Sequence, residues 1–216
     1  MEPDFAVPIL PRLGELGVLL EPASVLAKAW DQVDQTSRRA FFLRGRALVT
    51  GAGPIGLMAC LLGAQRGYEM HVVDLARAGP KRDLVEDLGA RYHSGDAADV
   101  DVDVVIECTG LGAVGRSAGR QLASGGIMCL TGIMNLGPTL DVDATTLNRN
   151  MVLHNQVLFG TVNAGRRHWE QAAGALAAAD PGWLGALITR RVPLTSWTDA
   201  LDRQPEDIKV VVDLTA

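Results

Sequence analysis

A chain of 216 residues with 48% hydrophobic side chains is long enough to bury a sizeable core, and its length suits one domain of ordinary size plus an appendage. The net charge of −5 argues against nucleic acid or an anionic membrane as partner, and the arginine pairs 38–39, 166–167 and 190–191 are scattered rather than gathered into one basic block. No apolar run approaches the roughly 18 residues of a membrane span, and MEPDFAVPILPRLGE lacks the basic start and apolar centre of a secretory signal, so a cytoplasmic protein is expected.

In chain order the first element is a helix over 22–34, with Pro22 at its first position and Glu21 beside the positive end of its dipole. RALVTGAGPIGLMA (46–59) then reads as a strand over 46–50, a glycine turn and a helix over 54–66. Gly51, Gly53 and Gly56 fit G-x-G-x-x-G. The first glycine allows the tight turn, the second lets main chain approach a pyrophosphate, and the third lets helix pack on strand. Pro54 and Ile55 complete the turn and open the helix, whose free N–H groups suit negative charge. The next strand, EMHVVD, ends in Asp74, 18 residues beyond Gly56. An acid near that offset accepts the ribose hydroxyls of a dinucleotide.

Gly79-Pro80 resets the backbone before a helix over 81–88, which Gly89 ends. Strands near 90–93, over 102–108 and over 126–131, a helix over 112–122, and VLFGTVN (157–163) continue the alternation. Six strands alternating with helices predict an α/β fold with a doubly wound parallel sheet, the Rossmann arrangement. Past Asn163 the pattern becomes an alanine-rich helix (165–179), a strand (187–192), a helix (196–203) and a closing strand (208–214), a tail expected to pack partly outside the nucleotide fold.

A second G-x-G-x-x-G at Gly110, Gly112 and Gly115 is a decoy for the phosphate site, because the strand after it ends without an acid. Thr109 and Gly110 lie at the carboxyl edge of the sheet, where they either touch the nicotinamide half of a coenzyme or form a helix-entry turn that touches nothing. Cys60, Cys108 and Cys129 include no C-x-x-C pair and read as thiols of a reducing compartment. Neither they nor His71, His93, His154 and His168 show metal-ligand spacing.

GVLLEPASVLAKAW (17–30), VTGAGPIGLMAC, VVIECTG, GGIMCLTG, FGTVNAGRRHW (159–169), ITRRVPL and IKVVVDL occur in the order found in zinc-containing medium-chain dehydrogenases, and the chain resembles their glucose dehydrogenase branch. The similarity runs through the whole chain but through only the carboxyl-terminal portion of that family. It implies a linker and interdomain helix (1–35), an NAD(P)-binding Rossmann domain (36–163) and a return segment (164–216), the two ends being remnants of a catalytic domain. It implies hydride transfer from an aldose or alcohol CH–OH to nicotinamide, with this chain supplying the coenzyme-binding part and zinc bound only if the catalytic domain is supplied. By resemblance Glu21 matches a carboxylate that approaches the zinc; for this chain alone a first-turn carboxylate is the preferred reading, and in an assembled site the ligand role is. Asn163 matches a catalytic-site asparagine that reaches substrate or nicotinamide, although an asparagine ending a strand is also a common turn residue. His168 and the tryptophans Trp169, Trp183 and Trp197 are expected to pack the tail.

Asp74 favours NAD, while Arg77, with Lys81 and Arg82 nearby, offers a clamp for the extra phosphate of NADP. Homo-oligomers through the edge of the Rossmann sheet are a further expectation from the resemblance. Two other readings use the same residues: a non-catalytic, truncated NAD(H)-binding or subunit protein, and an S-adenosylmethionine-dependent methyltransferase, which also uses a glycine loop and an acid after its second strand.

Overall fold

The structure, a computed structural model, describes residues 6–39, 45–95, 100–133 and 143–215. The first five residues of the segment read against a secretory signal lie outside the described residues.

Six strands, β1 (Arg46–Thr50), β2 (Glu69–Asp74), β3 (Arg91–Ser94), β4 (Val102–Glu107), β5 (Leu122–Leu130) and β6 (Val157–Gly160), form one sheet in the order β3-β2-β1-β4-β5-β6. Every pairing in it is parallel, so the expected doubly wound arrangement is present. The order reverses between β1 and β4, which opens a crevice at their carboxyl ends. Central strands of such a sheet are covered on both faces, which is why Ala47, Leu48 and Val49 in β1 and Val104, Val105 and Ile106 in β4 are all fully buried.

Helix α2 (Pro54–Gln65) is apolar on nearly every side, as a helix enclosed on all sides must be. It lies between the sheet and α1 (Leu20–Ser37), whose Trp30 indole donates to the Ala59 carbonyl at 3.0 Å. Helix α6 (Arg166–Ala178) packs along α1, and Arg167 and His168 both face Asp31. Helices α3 (Pro80–Asp87), α4 (Gly112–Gly119) and α5 (Ala144–Leu153) connect the strands, and α7 (Pro181–Ala186) closes against α3. Asp180 caps α7 by accepting the Trp183 N–H at 2.8 Å, and the Trp183 indole donates to the Leu84 carbonyl at 2.8 Å. Ala172, Leu176, Trp183, Leu184 and Leu187 therefore share one core with the sheet.

The last stretch touches that core only through Ile188 and Ile208. β7 (Ile188–Pro193) and β8 (Lys209–Asp213) pair in parallel as a separate two-stranded sheet. They are tied by a forked Arg190–Asp207 contact, Nε to Oδ1 at 3.1 Å and a terminal nitrogen to Oδ2 at 2.6 Å.

Several boundaries differ from the sequence reading. The chain enters α1 through 3₁₀ turns over Pro11–Leu19, so the helix begins at Leu20 and Pro22 falls in its first turn rather than at its first position. The helix expected over 112–122 ends at Gly119, because Leu122 already pairs with Val102 and β5 runs nine residues rather than starting at 126. β6 stops at Gly160, leaving Asn163 in a loop at φ +56°. The segment read as a helix over 196–203 is instead 3₁₀ over Leu194–Ala200, kinked at Ser196. Two helices, α5 and α7, had no counterpart in the reading.

Candidate functional site

The carboxyl ends of β1, β2, β4 and β5 bring most of the expected residues together. Gly51 turns the chain out of β1 at φ +85° and donates its N–H to the Val73 carbonyl at 2.7 Å. That conformation is strained for any residue with a Cβ. Gly56 permits the closest approach, since a Cβ there would lie 1.7 Å from the Gly51 carbonyl oxygen. Gly53 is different in kind. A Cβ on it would meet nothing within 4 Å, so its bareness serves no packing inside the chain and leaves the main chain of the turn uncovered. Pro54 starts α2, and the first intrahelical bond runs from the Leu57 N–H to the Gly53 carbonyl at 2.9 Å. The N–H groups of Ile55 and Gly56 thus stand outside the helical ladder, aimed as an anion-binding helix start requires.

Asp74 ends β2 next to this turn. Its Oδ2 accepts the Ala52 N–H at 2.7 Å and its Oδ1 the Ala76 N–H at 3.0 Å, while the Lys81 ammonium stands 3.7 Å from Oδ1. The acid therefore holds both the glycine turn and the loop after β2, and each of its oxygens keeps acceptor capacity beyond these two bonds. Arg77 is exposed on that loop. Tyr92 braces it from below, donating its hydroxyl to the Ala76 carbonyl at 2.6 Å. Burial, and then the Asp74 charge, push its phenol up to about 12. Tyr92 was missed from sequence, where it is one residue of a short strand with no motif.

On the β4 side, Thr109 and Gly110 abut the glycine turn. A Cβ on Gly51 would sit 3.0 Å from the Thr109 methyl group. Gly110 takes φ +66°, and a Cβ there would lie 2.4 Å from the Ile133 carbonyl oxygen. Beneath them lies Glu107, a buried acid that sequence reasoning passed over; its signal was an acid ending the apolar strand VDVVIE. The three cysteines are free, and burial pushes the thiols of Cys60 and Cys108 up to about 12 and that of Cys129 higher still. None of them is a thiolate nucleophile near neutral pH.

The remaining two candidates stand apart from the turn. Glu21 is exposed in the first turn of α1 and lines a cleft of about 610 Å³, whose opposite wall is Ala164–Arg166, the stretch that follows Asn163. Asn163 is exposed in the β6–α6 loop, which the Lys28 ammonium fastens through the Val162 carbonyl at 3.0 Å. His168 is buried and its Nδ1 accepts the Gly165 N–H at 3.1 Å, holding the start of α6 as expected of a packing residue. Trp183 is buried, Trp169 half-buried and Trp197 exposed. No three histidine, cysteine or acidic residues among the described residues are gathered as metal ligands.

Residues 14–214 match the family model described as glucose dehydrogenase C-terminus. The glucose 1-dehydrogenase of Methanocella arvoryzae is 32% identical over 226 residues, covering 99% of this chain and 63% of that protein. That of Thermoproteus tenax is 34% identical over 218 residues, covering 97% and 62%. Among solved structures, the Haloferax mediterranei glucose dehydrogenase in complex with NADP, Zn and gluconolactone superposes with a TM-score of 0.91 at 27% identity, over 100% of this chain and 64% of that one. An alcohol dehydrogenase from Thermotoga maritima shares the fold at TM-score 0.75 and 19% identity. The chain spans about 63% of the length of the curated relatives it matches.

Proposed function

The chain belongs to the glucose dehydrogenase C-terminus family, and from that premise we propose that it is the coenzyme-binding unit of an NAD(P)-dependent sugar or alcohol dehydrogenase. The observation that carries the proposal is the pairing of a bare Gly53, its main chain uncovered, with an acid bound to the Ala52 N–H. A pyrophosphate fits over main chain that no side chain covers, facing the free N–H groups of α2, and Asp74 stands where the adenosine ribose follows.

In this reading Gly51, Gly53, Pro54, Ile55 and Gly56 hold the pyrophosphate. Asp74 accepts the ribose hydroxyls, which favours NAD. Lys81 and the exposed Arg77 leave room for the extra phosphate of NADP, the coenzyme named in the Haloferax complex. Thr109 and Gly110 present main chain to the nicotinamide half. When bound, the coenzyme supplies the hydride acceptor at its nicotinamide ring. The contribution of this chain is to fix the distance and direction of transfer from a sugar or alcohol carbon.

The residues described do not make a zinc site by themselves. Glu21 offers one carboxylate at the cleft beside Ala164–Arg166, and Asn163 an amide that can donate and accept to sugar hydroxyls, so both become site residues only beside groups from elsewhere. Family membership removes the methyltransferase reading. A coenzyme-binding or subunit role without turnover is the second reading, and the dispersal of metal-ligand residue types among the described residues favours it.

The expected partners are a small sugar or alcohol and a second copy of the chain, the latter along the outer edge of β6, the strand that ends the sheet and on which Leu158 is exposed. No described helix is long and apolar enough to cross a membrane. Free thiols at all three cysteines suit the cytoplasm.

Titration calorimetry of the 216-residue chain with NAD⁺, NADH, NADP⁺ and NADPH tests the proposal. Saturable heat with at least one pair is expected, undiminished by excess S-adenosylmethionine. Absence of heat with all four at millimolar levels overturns it.

A further inference from the structure

Glu107 is a buried acid to which the reading above gives no task. It ends β4 at 3% exposure. Its Oε1 accepts the Thr50 hydroxyl at 3.2 Å, the Thr109 N–H at 2.7 Å, the Thr109 hydroxyl, and the Gly110 N–H at 3.1 Å, which also reaches Oε2 at 3.2 Å. Its main-chain carbonyl accepts the N–H groups of Thr131 at 2.9 Å and Gly132 at 3.0 Å. One residue thereby fastens the end of β1, the β4–α4 turn and the exit of β5.

All of these donors are neutral, and Glu107 is in none of the ion pairs among the described residues. A buried acid without a cation is costly to desolvate unless it is hydrogen-bonded, and four donors converge on this one. The packing around it leaves no slack. A Cβ on Gly132 would lie 2.1 Å from the Gly110 nitrogen and 2.8 Å from Glu107 Oε2. Loops are ordinarily more mobile than the elements they connect, yet these are held from inside by a buried acid.

Their place gives the reason. The glycine turn and Asp74 occupy the β1–β2 side of the reversal in strand order. A dinucleotide lying across that point must carry its other half over the ends of β4 and β5. The geometry points to Glu107 as a positioning residue for the nicotinamide half of the coenzyme: it fixes the Thr109–Gly110 and Gly132 main chain on which that half rests. The inference depends on the dinucleotide reading and deepens it.

Calorimetry on the full chain with ADP-ribose and NAD⁺ separates this role from general support of the fold. Wild type binds NAD⁺ more tightly than ADP-ribose. Glu107→Gln, which keeps the shape and one acceptor, holds ADP-ribose affinity within about twofold and loses about fivefold or more for NAD⁺. Thr109→Val removes the hydroxyl donor to the acid and leaves its main-chain donors in place, and it gives the same split if Glu107→Gln does not fold. Equal losses for both ligands, no loss for either, or a wild type that gains nothing from the nicotinamide half overturn the positioning role. A wild type that binds neither ligand brings down the dinucleotide reading and this inference with it, whereas binding of both without the split brings down the inference alone.

Discussion

The Asp74 carboxylate and the Ala52 main-chain N–H lie 2.7 Å apart, so the acid that ends β2 is built into the glycine turn that follows β1. Under the proposed function, nucleotide recognition and loop shape share this one contact. In Asp74→Asn the charge disappears and the amide offers only one oxygen where both carboxylate oxygens accept N–H groups. NAD affinity is expected to fall about tenfold, equivalent to ~1.4 kcal/mol. NADP affinity falls less, because the repulsion between Asp74 and a 2′-phosphate goes too. Parallel titrations check the ratio, and an unchanged NAD:NADP preference contradicts the assignment.

Gly53→Ala and Gly56→Ala separate ligand approach from packing. Gly53 has φ −80° and empty space where a Cβ would go, so the variant should keep the wild-type melting temperature while losing coenzyme affinity. Gly56→Ala drives a methyl group to within 1.7 Å of the Gly51 oxygen. Displacement of that size costs about 1–3 kcal/mol or more, so melting temperature and binding fall together. Equal behaviour of the two variants refutes the distinction.

His71 and His93 stack with Nδ1 and Nε2 2.9 Å apart, and burial, reinforced for His71 by its partner, lowers both pKa values. Glu69 and Arg91 are the charged groups facing the pair, Glu69 opposing and Arg91 reinforcing the shift at His71. Because the folded values lie below the unfolded value of about 6.5, the unfolded state binds more protons below that pH. Stability is therefore complete above it and lost as pH falls toward the folded values. Urea melts between pH 5 and 8 should show this slope on the acid side, and His93→Gln should flatten it.

Coenzyme affinity of this chain should be indifferent to metal removal. The glycine turn and Asp74 use main-chain N–H groups and one carboxylate, and no metal-ligand trio is gathered among the described residues. Titrations with and without excess EDTA should superimpose within about twofold. A larger loss in chelator would place a metal in the coenzyme site.

What could be read from sequence was what is encoded locally. The spacing of Gly51, Gly53 and Gly56, the apolar run of α2 and the acid closing EMHVVD each act within a few residues of where they are written, and β1 was placed to the residue. Glu107 was illegible because its meaning comes from donors on three segments up to 57 residues away. Helix α5 was missed because none of its residues is buried, so no core face marks it, although Asp143 caps it through the Thr146 N–H. The entry into α1 was misplaced because Pro11 and a kink at Gly14, φ +48°, set up 3₁₀ turns that imitate a linker.

Amide hydrogen exchange with and without NADH tests the central claim most directly, since it reports where the ligand lies as well as whether it binds. Protection should concentrate at 51–57, at 74–76 and at 109–111. Protection confined to the distant cavity of about 480 Å³ between α3 and α7, or absent throughout at saturating NADH, contradicts a coenzyme seated on the glycine turn.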